Sequence, residues 1–221
     1  MQNAGNSPVQ DVLEAPLTRV IRPSVLYFGT PVAVLSTVDV EGRVNLTAIS
    51  SAWALGDRIV LGIGDDSQGC ANILATGEAV INLPGPAQHA AVERLAPTTG
   101  RNPVPPCKVA MGYVHEPDKF TLAGWTAAPS ELVRPPRAVE CPLQLEARLL
   151  MAHAGQPDPL DAGDPEYRIL ELQVLRVHAH ADIVHPRTHH VDTSRWSPLL
   201  YVFRHYFGTG APLGRNFRAE T

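Results

Sequence analysis

The chain predicts a mainly β fold, a β-barrel with a few inserted helices, and three observations carry that prediction. Short apolar or alternating runs rich in β-branched residues recur at 31–38, 43–49, 58–64, 78–83, 142–152 and 167–184. Turn chemistry separates them, as in Asp39 to Gly42 and Pro84-Gly85-Pro86. Twenty-one prolines against 6% aromatic residues favour sheets joined by rigid turns over a helical bundle.

Residues 1–16 are polar and unpatterned, and are expected to form a flexible arm or to lie on a partner subunit. A chain of this length suits a single domain over 17–221. In Arg43 to Ile49, Asn45 and Thr47 share one strand face while Val44, Leu46 and Ala48 share the other. The run Arg58 to Gly64 ends in small residues that let a flat ligand approach the backbone. Ser67 is placed to cap a helix running to about Thr76, with Gly77 as its stop, and the helix start offers unpaired amides to a phosphate. Glu78 to Leu83 is the next strand, and Pro86 opens a helix in which Ala87, Ala90, Ala91 and Leu95 recur at helical spacing. The proline-rich stretch 97–140 predicts a long loop with short helical turns near 107–111 and 116–120, of the kind that is functional or bridges subunits. Two extended runs follow, then a C-terminal arm over 185–221.

Composition removes several classes of function. A net charge of -4 offers no broad attraction for nucleic acid or an anionic membrane surface. No apolar run approaches the roughly 20 residues that cross a bilayer, and the start lacks signal-peptide character, so a soluble cytoplasmic protein is expected. Cys70, Cys107 and Cys141 are odd in number and far apart, as reduced thiols would be. Ser50-Ser51 is not in a G-x-S-x-G elbow, no Cys/His nucleophile pattern is visible, and no G-x-G-x-x-G fingerprint marks a separate nicotinamide domain. His178, His180, His185, His189 and His190 crowd together without an H-E-x-x-H pattern; a solvated strand end or subunit contact is the reading preferred over a metal site. Trp53 and Trp125 read as core or interface aromatics.

Five pieces in order carry a resemblance: the strand Val44 to Ser51, Asn72-Ile73 within S-x-x-x-x-N-I, TGEAVINLP, the run from Asp118-Lys119-Phe120 to Leu150, and RHYFGTGAPLG. Together, over about residues 30–214, they resemble the flavin reductase-like, flavoredoxin-type family. The resemblance implies an FMN-binding, six-stranded antiparallel Greek-key split barrel that forms a homodimer with flavin near the subunit interface. It places FMN contacts at Asn45, Thr47, Ala48, Ser50, Ser51, Ser67 and Asn72, and leaves His205 either by the flavin or tying down the C-terminal arm. It implies a flavin reductase passing hydride from NADH or NADPH to flavin N5, with an oxygenase or other electron acceptor as possible partner. The alternatives are a non-enzymatic FMN electron carrier, or a split barrel that has lost flavin for another ligand. No ionisable catalytic residue is required, because the flavin carries the redox chemistry.

Two departures stand out. Many relatives carry a hydroxyl residue two positions after the one matching Ser67, often beside a basic residue, where this chain has Gln68-Gly69; and Asp65 and Asp66 stand just before. Two carboxylates near a phosphate are unfavourable unless they face solvent, or unless a cation such as Arg43 completes the site.

Overall fold

The computed structural model describes residues 17–155 and 167–216; the expected arm at 1–16 lies outside them. The first elements are β1 (Phe28–Pro31), β2 (Ala33–Val38), β3 (Val44–Ile49), β4 (Ala52–Leu55), β5 (Arg58–Gly64), α1 (Gln68–Thr76), β6 (Glu78–Leu83) and α2 (His89–Leu95). Helix α1 begins and ends where its sequence says it should. Ser67 Oγ accepts the Cys70 N–H at 2.9 Å, and Gly77, at φ 72°, donates its N–H to the Ile73 carbonyl at 2.8 Å.

The stretch 97–140 is better ordered than its prolines suggest. It holds four two-residue strands, β7 (Thr98–Thr99), β8 (Val114–His115), β9 (Ala127–Ala128) and β10 (Arg137–Ala138), with short helices α3 (Pro106–Ala110) and α4 (Lys119–Ala123). The predicted turn at 116–120 starts three residues late, because Asp118 caps it by accepting the Thr121 N–H at 3.1 Å. Long strands β11 (Leu143–Ala154) and β12 (Tyr167–Ala179) follow. The C-terminal region contributes β13 (Leu200–Val202) and β14 (His205–Phe207), which form a three-stranded sheet with β1.

The main sheet has seven strands in the order β3-β2-β6-β11-β12-β5-β4, each antiparallel to its neighbour. This corrects the expectation of a six-stranded barrel in two respects. The seventh strand is β4, which escapes a pattern reading because Trp53, Ala54 and Leu55 are all exposed and show no alternation. Nor is the sheet closed by hydrogen bonds, since among the described residues no ladder joins its edges β3 and β4. Those edges are nonetheless covalent neighbours, separated only by Ser50 and Ser51. Three Cα steps of ~3.8 Å keep the two strand ends within about 11 Å, so the sheet must bend round on itself and leave a split there.

Strand β2 is buried at every position and feeds two cores by alternation. Ala33 and Leu35 join Leu61, Ile73, Ile81, Leu170 and Leu172 in one. Val32 and Val34 join Leu46, Val92, Leu95, Trp125 and Leu199 in the other, beneath α2 and α4. Trp125 is thus a core aromatic, whereas Trp53 is exposed. No helix among the described residues is long and apolar enough to cross a membrane.

Candidate functional site

A cavity of about 480 Å³ opens at the split. Thr47, Ala48, Ser50 and Ser51 line it from β3 and the connecting dipeptide, with Gly62 and Gly64 of β5 beside them. The Gly62 N–H donates to the Ser51 carbonyl at 2.7 Å, and a Cβ at 62 would lie 3.1 Å from Ser51 Cβ. The missing side chain therefore lets β5 close on the dipeptide. Ser67 and Gln68, at the start of α1, complete this side of the cavity.

Helix α1 lies unusually close to β3. A Cβ at Gly69 would stand 2.6 Å from Thr47 Oγ1, so the Gln68-Gly69 departure has a packing reason: the helix start is pressed onto the strand. A polar seam follows from that approach. Asn45 Nδ2 donates to Thr47 Oγ1 at 2.9 Å, Asn72 Nδ2 to Thr37 Oγ1 at 3.0 Å, and Gln68 Nε2 to Asn72 Oδ1 at 2.7 Å. Asn45 Oδ1 is buried without a hydrogen-bond partner.

The seven residues expected to contact FMN therefore fall in two adjoining places. Thr47, Ala48, Ser50, Ser51 and Ser67 line the large cavity; Asn45 and Asn72 line a second one of about 360 Å³ that shares Gln68 and Gly100 with the first. His205 is exposed and lines neither, while its strand neighbour Tyr206 faces the large cavity.

The acidic pair before α1 is neutralised from a distance. Arg168 grips Asp65 through two bonds of 2.6 and 3.0 Å and holds its carboxyl below the usual range, and Lys108 pairs with Asp66 at 3.1 Å. Arg43 does not complete the large cavity: it is occupied by Asp39 at 2.6 Å and Glu41 at 3.0 Å. A different cation does face that cavity. Lys119 is 5% exposed, and its Nζ donates to the carbonyls of Leu46 at 2.9 Å and Thr98 at 3.4 Å, with no carboxylate in ion-pair contact among the described residues. Burial, reinforced by the nearby Lys108, pushes its amine down to about 8.

Four of the five tyrosines converge on the same space: Tyr27, Tyr113, Tyr201 and Tyr206. Tyr201 packs against Tyr27 and Tyr206 with ring centroids 5.4 Å apart in both pairs. Tyr206 donates to Glu93 Oε2 at 3.0 Å, and burial together with that bond pushes its phenol well up. Neither the tyrosines nor Lys108 and Lys119 were visible as site residues in the sequence. Lys119 sits in one of the family-like pieces, yet alone it reads as a solvated helix residue.

The histidines are engaged elsewhere. His178 Nε2 lies 2.6 Å from Glu146 Oε1 and His180 Nε2 lies 2.7 Å from the Val139 carbonyl. No group of three or more His, Cys, Asp or Glu is arranged to hold a metal among the described residues. Burial raises the Cys70 thiol to about 11, far from a reactive thiolate.

The geometry is that of a split antiparallel sheet with a cavity where small residues meet a helix start, and comparison with known proteins names the family. The family model described as flavin reductase like domain matches residues 25–210, and the chain belongs to that family. A relative from Bacillus subtilis (strain 168), described as uncharacterized protein YdfE, is 39% identical over 201 residues, covering 91% of this chain and 94% of its own. Flavoredoxin of Desulfovibrio vulgaris (Miyazaki F) has a similar structure at TM-score 0.72 and 20% identity, covering 92% of this chain and 99% of its own. Nitrilotriacetate monooxygenase component B from Bacillus cereus follows at TM-score 0.68 and 18% identity, with 87% and 90% covered. At such identities the two structures speak for the fold.

Lys119 sets a pH signature. Its folded value near 8 lies below the ordinary 10.5, so between those values the unfolded chain holds a proton that the folded chain has lost. Stability relative to a Lys119→Met variant is expected to be flat below about pH 8, to rise from there towards pH 10.5, and to level off above. Urea unfolding midpoints of both proteins across pH 7–11 check this; a difference that is constant throughout would show an unperturbed lysine.

Proposed function

We propose that this chain is a flavin-binding redox protein that holds FMN in the large cavity and acts as an electron carrier of the flavoredoxin type. The observation that carries the reading is the meeting, in one cavity, of the small-residue floor from Thr47 to Ser51 with the capped start of α1. The residues present fit FMN. Ala48, Ser50 and Ser51 leave room for a flat ring, the Thr47 hydroxyl suits the ribityl chain, and the α1 amides with Lys119 suit a phosphate. Pairing of Asp65 with Arg168 and of Asp66 with Lys108 removes the objection that the acidic pair raised. Bound FMN supplies the redox chemistry; the chain's residues position it, exclude water and set its electrostatic surroundings. Likeness in fold to flavoredoxins of two organisms, the second from Methanosarcina acetivorans at TM-score 0.71, supports the carrier reading.

A second reading, an NAD(P)H-dependent flavin reductase serving an oxygenase or another acceptor, is favoured by one feature. Tyr27, Tyr201 and Tyr206, with interplanar angles of 62° and 51° between successive rings, line the same cavity with aromatic edges and faces against which a second ring could pack. Protein loaded with FMN and mixed anaerobically with NADH or NADPH separates the two. Flavin that stays oxidised with both nucleotides is expected of the carrier, and bleaching within the mixing time would establish the reductase instead.

Thr47→Val is expected to weaken FMN binding by about 1–2 kcal/mol with an unchanged far-UV circular dichroism spectrum, since one hydrogen-bonding group is lost without loss of volume. Fluorescence titration checks it, and unaltered affinity would move the flavin off this strand face. Dimerisation is part of the same proposal. The edge strand β4 exposes Trp53 (57%) and Leu55 (72%) immediately after the cavity dipeptide, a pairing surface that a monomer would leave open. Sedimentation velocity should give a dimer for the natural chain and a monomer for Trp53→Glu; identical behaviour of the two proteins would place the interface elsewhere.

A further inference from the structure

Residues 100–113 line the large cavity as a piece of their own. Both ends are stapled by the parallel pair β7 and β8, where the Val114 N–H donates to the Pro97 carbonyl at 3.0 Å and the Glu116 N–H to the Thr99 carbonyl at 2.9 Å. Between those staples no residue is buried, although Thr99 just before them is 3% exposed. The backbone bonds of α3 stay within the piece, and the Lys108 amine lies 5.8 Å from the centroid of the Tyr113 ring. Lys108, Met111 and Tyr113 face the cavity from this piece, while Ser50, Ser51 and Gly62 line it from the sheet.

One residue of the sheet side holds that piece. Among the described residues, every hydrogen bond or ion pair from a side chain of 100–113 to the rest of the chain ends on Asp66. Lys108 Nζ lies 3.1 Å from its Oδ1 and donates to its carbonyl at 3.3 Å; Arg101 Nε donates to the same carbonyl at 3.3 Å, and Cys107 Sγ to Oδ2 at 3.4 Å. Asp66 is itself fixed between β5 and the Ser67 cap, with its carboxylate folded back over Gly64, where a Cβ would stand 2.9 Å from Oδ1. A segment without buried side chains is held mainly by its polar contacts, so it opens at low cost once they are lost.

We propose that residues 100–113 are a flap on the large cavity and that Asp66 is its latch, so that release of the Asp66 contacts admits and frees the ligand. The latch stands on the chain's own contacts; the identity of the ligand as FMN rests on the flavin reading of this cavity. A flap that opens and closes gates passage in both directions. This separates a latch from a repelling charge. Removing a carboxylate that only repels a phosphate speeds association and slows dissociation, whereas removing a latch speeds both.

Limited trypsin digestion and stopped-flow mixing with FMN, on the purified full chain and on Asp66→Asn, test the proposal. The bond between Lys108 and Val109 should be cut about tenfold faster in the variant, the usual effect of losing a charge-assisted hydrogen bond, because cleavage follows the population of the open form. FMN association and dissociation should both rise by a similar factor, with affinity held within about threefold. Asp66→Cys places a thiol beside Cys107, whose Sγ lies 3.4 Å from the carboxylate oxygen replaced. Oxidation of that pair to a disulfide should arrest FMN exchange, and a reductant should restore it. Unchanged cleavage in Asp66→Asn would overturn the latch. Faster association with slower dissociation would make Asp66 a repelling charge and overturn the gate, as would exchange that persists in the oxidised Asp66→Cys protein. A natural chain that takes up no FMN, yet is cut faster at Lys108 once Asp66 is replaced, keeps the flap and its latch and overturns the flavin reading alone.

Discussion

The contact between α1 and β3 is the constraint on which the site depends. A nine-residue helix has little stability of its own, and this one carries glycine and asparagine in its interior. It is held by burial of Cys70 and Ile73 in a core and by the hydrogen bond from Asn72 to Thr37 on β2. Gly69 permits the remaining approach, since any side chain there would collide with Thr47. That approach brings the helix start to the cavity floor. A hydroxyl residue at 69 could not occupy this arrangement without moving the helix, so the departure from the family pattern belongs to the packing and leaves the amides available.

Charge at the site is also organised over long sequence separations. The acidic pair Asp65-Asp66 looked hostile to a phosphate when only its neighbours were considered. Its partners come from β12, through Arg168, and from α3, through Lys108. Each carboxylate thus serves to fix a basic side chain beside the helix start, and Lys108 lines the cavity while doing so. Both pairs are partly shielded from solvent, so salt screens them less than exposed pairs, while desolvation offsets part of their attraction.

What could be read in the sequence was what is encoded locally. Ser67 and Gly77 mark the ends of α1 because caps are single-residue signals, and Asn45 and Thr47 share a face because strand periodicity is fixed. Strand β4 was illegible because an exposed edge strand shows no buried alternation. Lys119 and the tyrosines were illegible for another reason: residues 27, 113, 119, 201 and 206 meet only when β1, the 97–140 stretch and the β13–β14 hairpin fold against the sheet. His205 stands out only through the family-like piece RHYFG, yet alternation turns Tyr206 inward in its place.

The open sheet and the buried lysine can be understood together. A closed barrel would give β3 a ladder partner on both sides, and its carbonyls would need nothing further. Because β3 is an edge, the Leu46 carbonyl is free to accept from a side chain, and Lys119 supplies the donor while packing against the second core through α4. Protection of sheet edges by lysine is a general device, but such lysines normally keep their charge in water. Here the amine is buried beside the cavity, with carbonyls and, among the described residues, no carboxylate as its hydrogen-bond partners. The split that opens the cavity thus also creates the position from which the Lys119 amine faces it, so the two features are one consequence of leaving β3 and β4 without a shared ladder.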